Sequence, residues 1–227
     1  MSEDPAHRSY WRVGHTGDPL GFVPLDICEY SHRFDDLRHR FRTVYIAELA
    51  ETCLRETLAD FRPKLSAIHR FQREMGAAAA TDLPAWPITA AWRREHALAP
   101  LHLTLHGPIY DLTDIAQRRS IEDRHSGLLL EHGMQHLDLH EITTGRRVVT
   151  QTIAGDLYDE GVAAIRFPSH LDGNPCIAVF EGRGVLVHQG PVVALTDPAP
   201  QQLVDVAAAW RLALAPAAAV SQGPRTR

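Results

Sequence analysis

Cysteine is scarce and scattered in this chain: Cys28, Cys53 and Cys176 are the whole set, and no CxxC pair occurs. An odd, dispersed trio supports neither a disulfide framework nor a cysteine zinc site. Long apolar runs are lacking as well. The stretch from Met1 to Ser9 is polar and has no apolar segment of the kind a secretory signal needs. The Ala/Leu-rich run near the C-terminus is broken by Trp210, Arg211 and Pro216 and is too short to span a bilayer. There is no excess of positive charge either. A net charge of −5 gives no reason to expect direct binding to nucleic acid or to a membrane surface. The chain therefore reads as cytoplasmic, with no nucleic-acid or membrane partner.

Several catalytic signatures are also missing. No P-loop is present, and Gly182-Arg183-Gly184 lacks the third glycine and the following helix of a dinucleotide fingerprint. Ser169 stands between Pro168 and His170, not in a GxSxG elbow. A Ser–His–Asp arrangement using Ser169 and Asp172 stays open, with nothing to mark which histidine would serve. Among the 14 histidines, His132, His136 and His140 recur every four residues. Gly133 interrupts a helix there, and Leu137 and Leu139 alternate with Asp138 as in a strand. On a strand, positions four apart lie about 13 Å apart, too far to share one metal. No metal site is expected.

What is present suits one folded domain: 227 residues, 44% hydrophobic and 22% charged. Residues 1–9 read as a flexible arm, 10–214 as the domain with an insertion or mobile segment over 63–101, and 215–227 as a disordered tail. Strands are expected at Tyr10 to Val13, Thr43 to Ala47, Leu101 to Leu105, Ile109 to Leu112, Ala163 to Phe167, Cys176 to Phe180, Val185 to Val187 and Val192 to Leu195. Helices are expected at Leu49 to Phe61, Lys64 to Ala80, from an Asp114 cap through Leu130, from a Thr150 cap to Gly161, and from Pro200 to Leu214. Strands mixed with helices, without regular βαβ alternation, give an α+β fold with a mixed or antiparallel sheet.

Within the Leu49 to Phe61 helix, Ala50, Cys53, Leu54, Leu58 and Phe61 share one arc, and Glu51 and Arg55 pair in solvent on the other side. Glu56 falls on the flank, where periodicity alone reads a half-exposed helix glutamate. Arg12, Arg33, Tyr45, Glu56 and Ser169 form a set of polar groups near strand ends. Guanidinium forks suit a pyrophosphate, and a tyrosine face suits a nicotinamide or adenine ring. Scattered surface arginines are the competing reading.

Ordered motifs carry a resemblance. Tyr10-Trp11-Arg12-Val13 resembles the opening of the RES family, named for its Arg, Glu and Ser. His32-Arg33-Phe34-Asp35-Asp36 resembles the second arginine motif, with His32 where the family often has glycine. Val44-Tyr45-Ile46-Ala47 through Glu51-Thr52-Cys53-Leu54-Arg55-Glu56 is similar to the tyrosine–glutamate segment. Ile165-Arg166-Phe167-Pro168-Ser169, followed by Ala178-Val179-Phe180, is similar to the serine motif. The matches run in order from Tyr10 to about Leu195.

The resemblance implies a fold like that of ADP-ribosyltransferases and membership among the toxins of RES–Xre toxin–antitoxin pairs. It implies NAD as substrate, without a metal, and cleavage of the nicotinamide–ribose bond by water or phosphate. The alternatives are ADP-ribose transfer to a protein, or a non-catalytic binding role. Glu56, Arg12 and Ser169 would be catalytic, and Arg12, Arg33, Tyr45 and Ser169 would bind NAD. An Xre-type antitoxin is the implied partner, and assembly into a homo-oligomer is left open.

Overall fold

The computed structural model describes residues 9–76, 86–143 and 147–218. A mixed sheet of eight strands forms its centre. It is built from β1 (Ser9–His15), β2 (Thr43–Ala47), β4 (His96–Leu105), β5 (Ile109–Asp111), β6 (Ala164–Pro168), β7 (Pro175–Phe180) and β8 (Gly184–His188), in the order β5-β6-β7-β2-β1-β4-β8, with β9 (Val193–Ala194) pairing beside β4. All pairings are antiparallel except β5 with β6. A separate parallel pair joins β3 (Trp86–Ile88) to β10 (Leu212–Leu214).

Alternation along the strands splits the core between the sheet's two faces. Val44, Ile46, Ile177, Val179, Ala99 and Leu101 pack on one face with Tyr10. On the other, Ala47, Phe167, Cys176, Ala178 and Phe180 meet Cys53 of α1 (Ala50–Leu58), together with Ile121 and Leu129 of α4 (Ile115–Glu131) and Val149, Ile153 and Leu157 of α6 (Arg147–Asp159). A third cluster joins Ala50, Leu54 and Leu58 of α1 to Leu203 and Val206 of α7 (Gln201–Ala209). The expected apolar arc of α1 is thus the buried one. Asp114 caps α4 by accepting from the Ala116 and Gln117 amides, as its position before the helix predicted.

β1 and β2 pair only at Trp11 opposite Ala47, whereas β1 pairs with β4 along its full length. Past that point the two strands diverge, and the Val13 amide, with no β2 carbonyl to meet, donates to Cys53 Sγ at 3.1 Å. A backbone donor inside a fold needs some acceptor, and here a helix thiol supplies it.

Several expectations need correction. The segment 63–101 is not simply an insertion: α2 (Leu65–Met75) is peripheral, but α3 (Ala90–Glu95) leads straight into β4, whose Ala97, Leu98 and Ala99 are buried. Arg93 is the reason, being 1% exposed and donating to Leu195 O, Ala215 O and Asp197 Oδ1. The same knot orders the chain beyond β10, where Ala217 is buried and its amide donates to Asp197 Oδ2. The expected tail is therefore structured over Ala215 to Ala218, and residues 1–8, 77–85 and 219–227 lie outside the described residues. α6 begins at Arg147, so Thr150 is no cap; its hydroxyl donates back to Arg147 O. The C-terminal helix stops at Ala209, because Arg211 adopts a positive φ and β10 pairs with β3. The strand-like alternation after His136 is a short helix, α5 (Leu139–Thr143). His132, His136 and His140 share no element, and among the described residues no group of three or more His, Cys, Asp or Glu is placed to hold a metal.

Candidate active site

The site grows from three pieces of chain: the turn before β2, the helix after it, and the loop between β6 and β7. In the turn, Asp35 Oδ2 accepts from the His32 amide at 2.7 Å, closing the backbone around Arg33. Tyr45 on β2 holds this turn with its hydroxyl, which accepts from the Phe34 amide at 2.8 Å and donates to Asp35 Oδ1 at 3.2 Å. Burial pushes the Tyr45 phenol well above its ordinary pKa, with the Asp35 charge adding to it, so the hydroxyl stays protonated and can donate. Its ring stands 5.6 Å from His32 and 6.4 Å from Phe167.

Arg33 leaves that turn toward α5, donating to Ile142 O and, at 2.8 Å, to Thr143 O. These are carbonyls at the C-terminal end of a helix, where a cation is favoured. Burial lowers the Arg33 pKa and Arg147 lowers it further, while the charge of Glu56 works the other way.

Glu56 projects from the last turn of α1 and is half-buried. Its Oε1 accepts from Ser169 Oγ at 2.5 Å, and His170 Nδ1 lies 3.7 Å from the same oxygen. Ser169 is buried, with 3% exposure, at the start of the β6–β7 loop. The hydroxyl also accepts from the Leu171 amide at 3.1 Å, which turns its proton toward the carboxylate. A hydrogen bond to an ionised acceptor is of the stronger, charge-assisted kind.

Arg12 lies apart. Alternation along β1 puts it on the face of Tyr10, and its guanidinium donates to Gly21 O. Burial lowers its pKa against the pull of Cys53 and Asp18. Cys53 stands one turn before Glu56 on α1. Burial pushes that thiol up to about 12, against the hydrogen bond from the Val13 amide and the Arg12 charge, while the Glu56 charge raises it. Of the five expected residues, Glu56 and Ser169 are in direct hydrogen-bond contact, Tyr45 holds the turn that carries Arg33, and Arg12 lies on the face of Tyr10.

Three corrections concern partners. Arg55 does not pair with Glu51 in solvent; its Nη1 donates to Asp172 Oδ2 at 2.8 Å. The Ser169–Asp172 hydrolase alternative fails, since Ser169 bonds a glutamate and Asp172 accepts from Thr52 and Arg55. Finally, Asp35, Thr52 and Asp172 went unrecognised as supports of the site. The spacing Thr52, Arg55, Glu56 (i, i+3, i+4) was the available signal, because it places all three on one stripe of α1.

The family model of the RES domain matches residues 9–215. The chain belongs to the RES-domain family. No curated protein matches it. A solved structure similar to this RES domain is the M. tuberculosis MbcT–MbcA toxin–antitoxin complex, at 15% identity and a TM-score of 0.47, covering 88% of this chain and 89% of that one. Of the residues that carry the motif resemblance, Glu56 and Ser169 are in direct contact.

Proposed function

We propose that this RES-domain protein consumes NAD by cleaving the nicotinamide–ribose bond, as a glycohydrolase or a phosphorylase. The observation that carries the reading is the Ser169–Glu56 hydrogen bond, with Tyr45 holding the turn that carries Arg33. Nicotinamide departs with the electron pair of the glycosidic bond, leaving a ribosyl cation. A fixed carboxylate next to that centre stabilises the developing charge without becoming a nucleophile. Water or phosphate then supplies the new oxygen–carbon bond, and the proton of the water is released. Glu56 provides the charge, Ser169 fixes its orientation, Arg33 and Arg12 suit the pyrophosphate, and Tyr45 presents a ring face to the nicotinamide side. The chemistry needs no metal. The protein acts as a toxin held in check by an antitoxin of the helix-turn-helix Xre type.

Purified protein incubated with NAD should release nicotinamide. If release requires phosphate, the enzyme is a phosphorylase; if it does not, a glycohydrolase. Labelled ADP-ribose recovered on a protein would assign ADP-ribosyl transfer. No nicotinamide release under any of these conditions overturns the enzymatic reading and leaves a binding role.

A further inference from the structure

The stripe Thr52, Arg55 and Glu56 on α1 faces a single loop, residues 169–174, between β6 and β7. Glu56 takes the hydroxyl of Ser169, and the other two side chains converge on one atom. Thr52 Oγ1 and Arg55 Nη1 each donate to Asp172 Oδ2 at 2.8 Å. The other carboxylate oxygen, Oδ1, accepts from the Asn174 amide at 3.1 Å. The loop is closed on itself as well: the Ser169 amide donates to Asn174 O at 2.8 Å and the Gly173 amide to Ser169 O at 2.9 Å. Gly173 has a φ of +76°, the left-handed conformation this closure needs. Thr52 is fully buried and the Asp172 side chain is 13% exposed, so these bonds are shielded from competing water.

The loop therefore meets α1 at two points, Ser169 on Glu56 and Asp172 on Thr52 with Arg55. The first alone would leave the hydroxyl free to swing about a short loop. The second fixes the loop's height along the helix. We propose that Asp172 is a positioning residue, whose carboxylate clamps this loop to α1 so that the Ser169 hydroxyl holds Glu56 in its reactive orientation. The inference rests on the reading of Glu56 as the group that stabilises the ribosyl cation. Asp172 touches no substrate in this scheme. It acts through Ser169, and small errors of placement at a reacting centre are expensive in rate.

The test compares steady-state nicotinamide release, thermal midpoint and amide exchange in four variants of the full chain. Asp172→Asn keeps the size but turns an NH2 toward one of its former donors. Thr52→Val removes one donor at constant shape. Arg55→Met removes the charged donor and Arg55→Lys retains one. The proposal expects kcat to fall roughly tenfold to a hundredfold in Asp172→Asn. The KM for NAD should stay within about twofold, since the charge acts in the transition state and not in binding. Thr52→Val and Arg55→Met should lose less, and Arg55→Lys should recover most of what Arg55→Met loses. Turnover near the parent value in both Asp172→Asn and Thr52→Val overturns the proposal. So does a loss that merely follows the thermal midpoint across the series, or one expressed in KM alone. A parent protein that releases no nicotinamide overturns the functional reading instead. The clamp is then decided by exchange of the Leu171 amide, which donates to Ser169 Oγ. Faster exchange in Asp172→Asn upholds it, and exchange equal to the parent's rejects it.

Discussion

Glu56 and Glu51 occupy one helix, five positions apart, and make the sharpest comparison at the scale of single residues. Glu56→Gln preserves size and hydrogen-bonding capacity but removes the charge that the proposed mechanism sets against the ribose. Nicotinamide release should fall about a hundredfold to a thousandfold, with NAD affinity largely kept. Glu51→Gln, outside the Ser169 contact, should change little; near-native release by both would return Glu56 to an ordinary flank glutamate. Tyr45→Phe probes the neighbouring turn. It strands the Phe34 amide, which the hydroxyl now accepts, and should cost about 1–3 kcal/mol in a denaturant titration. The sequence made Glu56 and Ser169 legible because their motifs are contiguous strings in the right order. The duties of Tyr45, Thr52 and Asp172 were not legible, since each depends on a partner whose distance in space no spacing encodes. Only the structure shows that the Tyr45 hydroxyl is engaged by the turn carrying Arg33.

At the scale of elements, the strands on either side of the site are tied by Arg166. It bridges Asp111 Oδ2 at 3.0 Å and Glu48 Oε1 at 3.1 Å, joining β5 and β6 to the residue after β2. Replacing Arg166 with Met leaves two carboxylates facing one another without their cation and should lower stability by about 1–3 kcal/mol, read as a shift of the urea midpoint. No shift would show the triad to be a solvated surface network. The elements best read from sequence were those with strong periodicity or a clear cap, α1 and α4 above all. The misreadings came from tertiary override. A helical pattern through Leu214 gives way to β10 because a strand partner at Trp86–Ile88 is available, and the start of β4 was hidden by its charged approach, where Arg93 is buried by three acceptors supplied from the far end of the chain.

Across the whole molecule, paired carboxylates set the response to acid. Burial works against the charged forms of Asp36, Asp111 and Asp172, but hydrogen bonds from Arg40, from Thr113 and Arg166, and from Thr52 and Arg55 outweigh it. Glu181 is drawn down chiefly by its hydrogen bonds to Arg42. All four carboxyls thus titrate lower in the folded protein than in the unfolded chain. Their stabilisation is complete above the ordinary carboxyl range, near pH 4–5, and is lost as pH falls through the folded values. The carboxyl contribution to the urea midpoint should be constant from pH 7 to 5 and decline steadily below about 4, while His96, whose pKa burial lowers, takes stability away as pH falls through the ordinary imidazole range. A midpoint unchanged between pH 5 and 3 would contradict this. Asp111→Asn should start lower at neutral pH and decline less steeply.

The place of β2 in the sheet has a consequence for biosynthesis. Its neighbour on one side is β7, and on the other β1 touches it at a single register position. A ribosome makes β2 and α1 early and β7 late, at about 5–20 residues per second. Until Pro175–Phe180 has emerged, β2 lacks the strand that fixes it, and Glu56 lacks the serine that lies 113 positions downstream. The nascent chain thus carries the glutamate without its catalytic setting. Under the proposed function, turnover of NAD can begin only once Pro175–Phe180 has been synthesised, which gives the proposed antitoxin time to meet the protein as it folds.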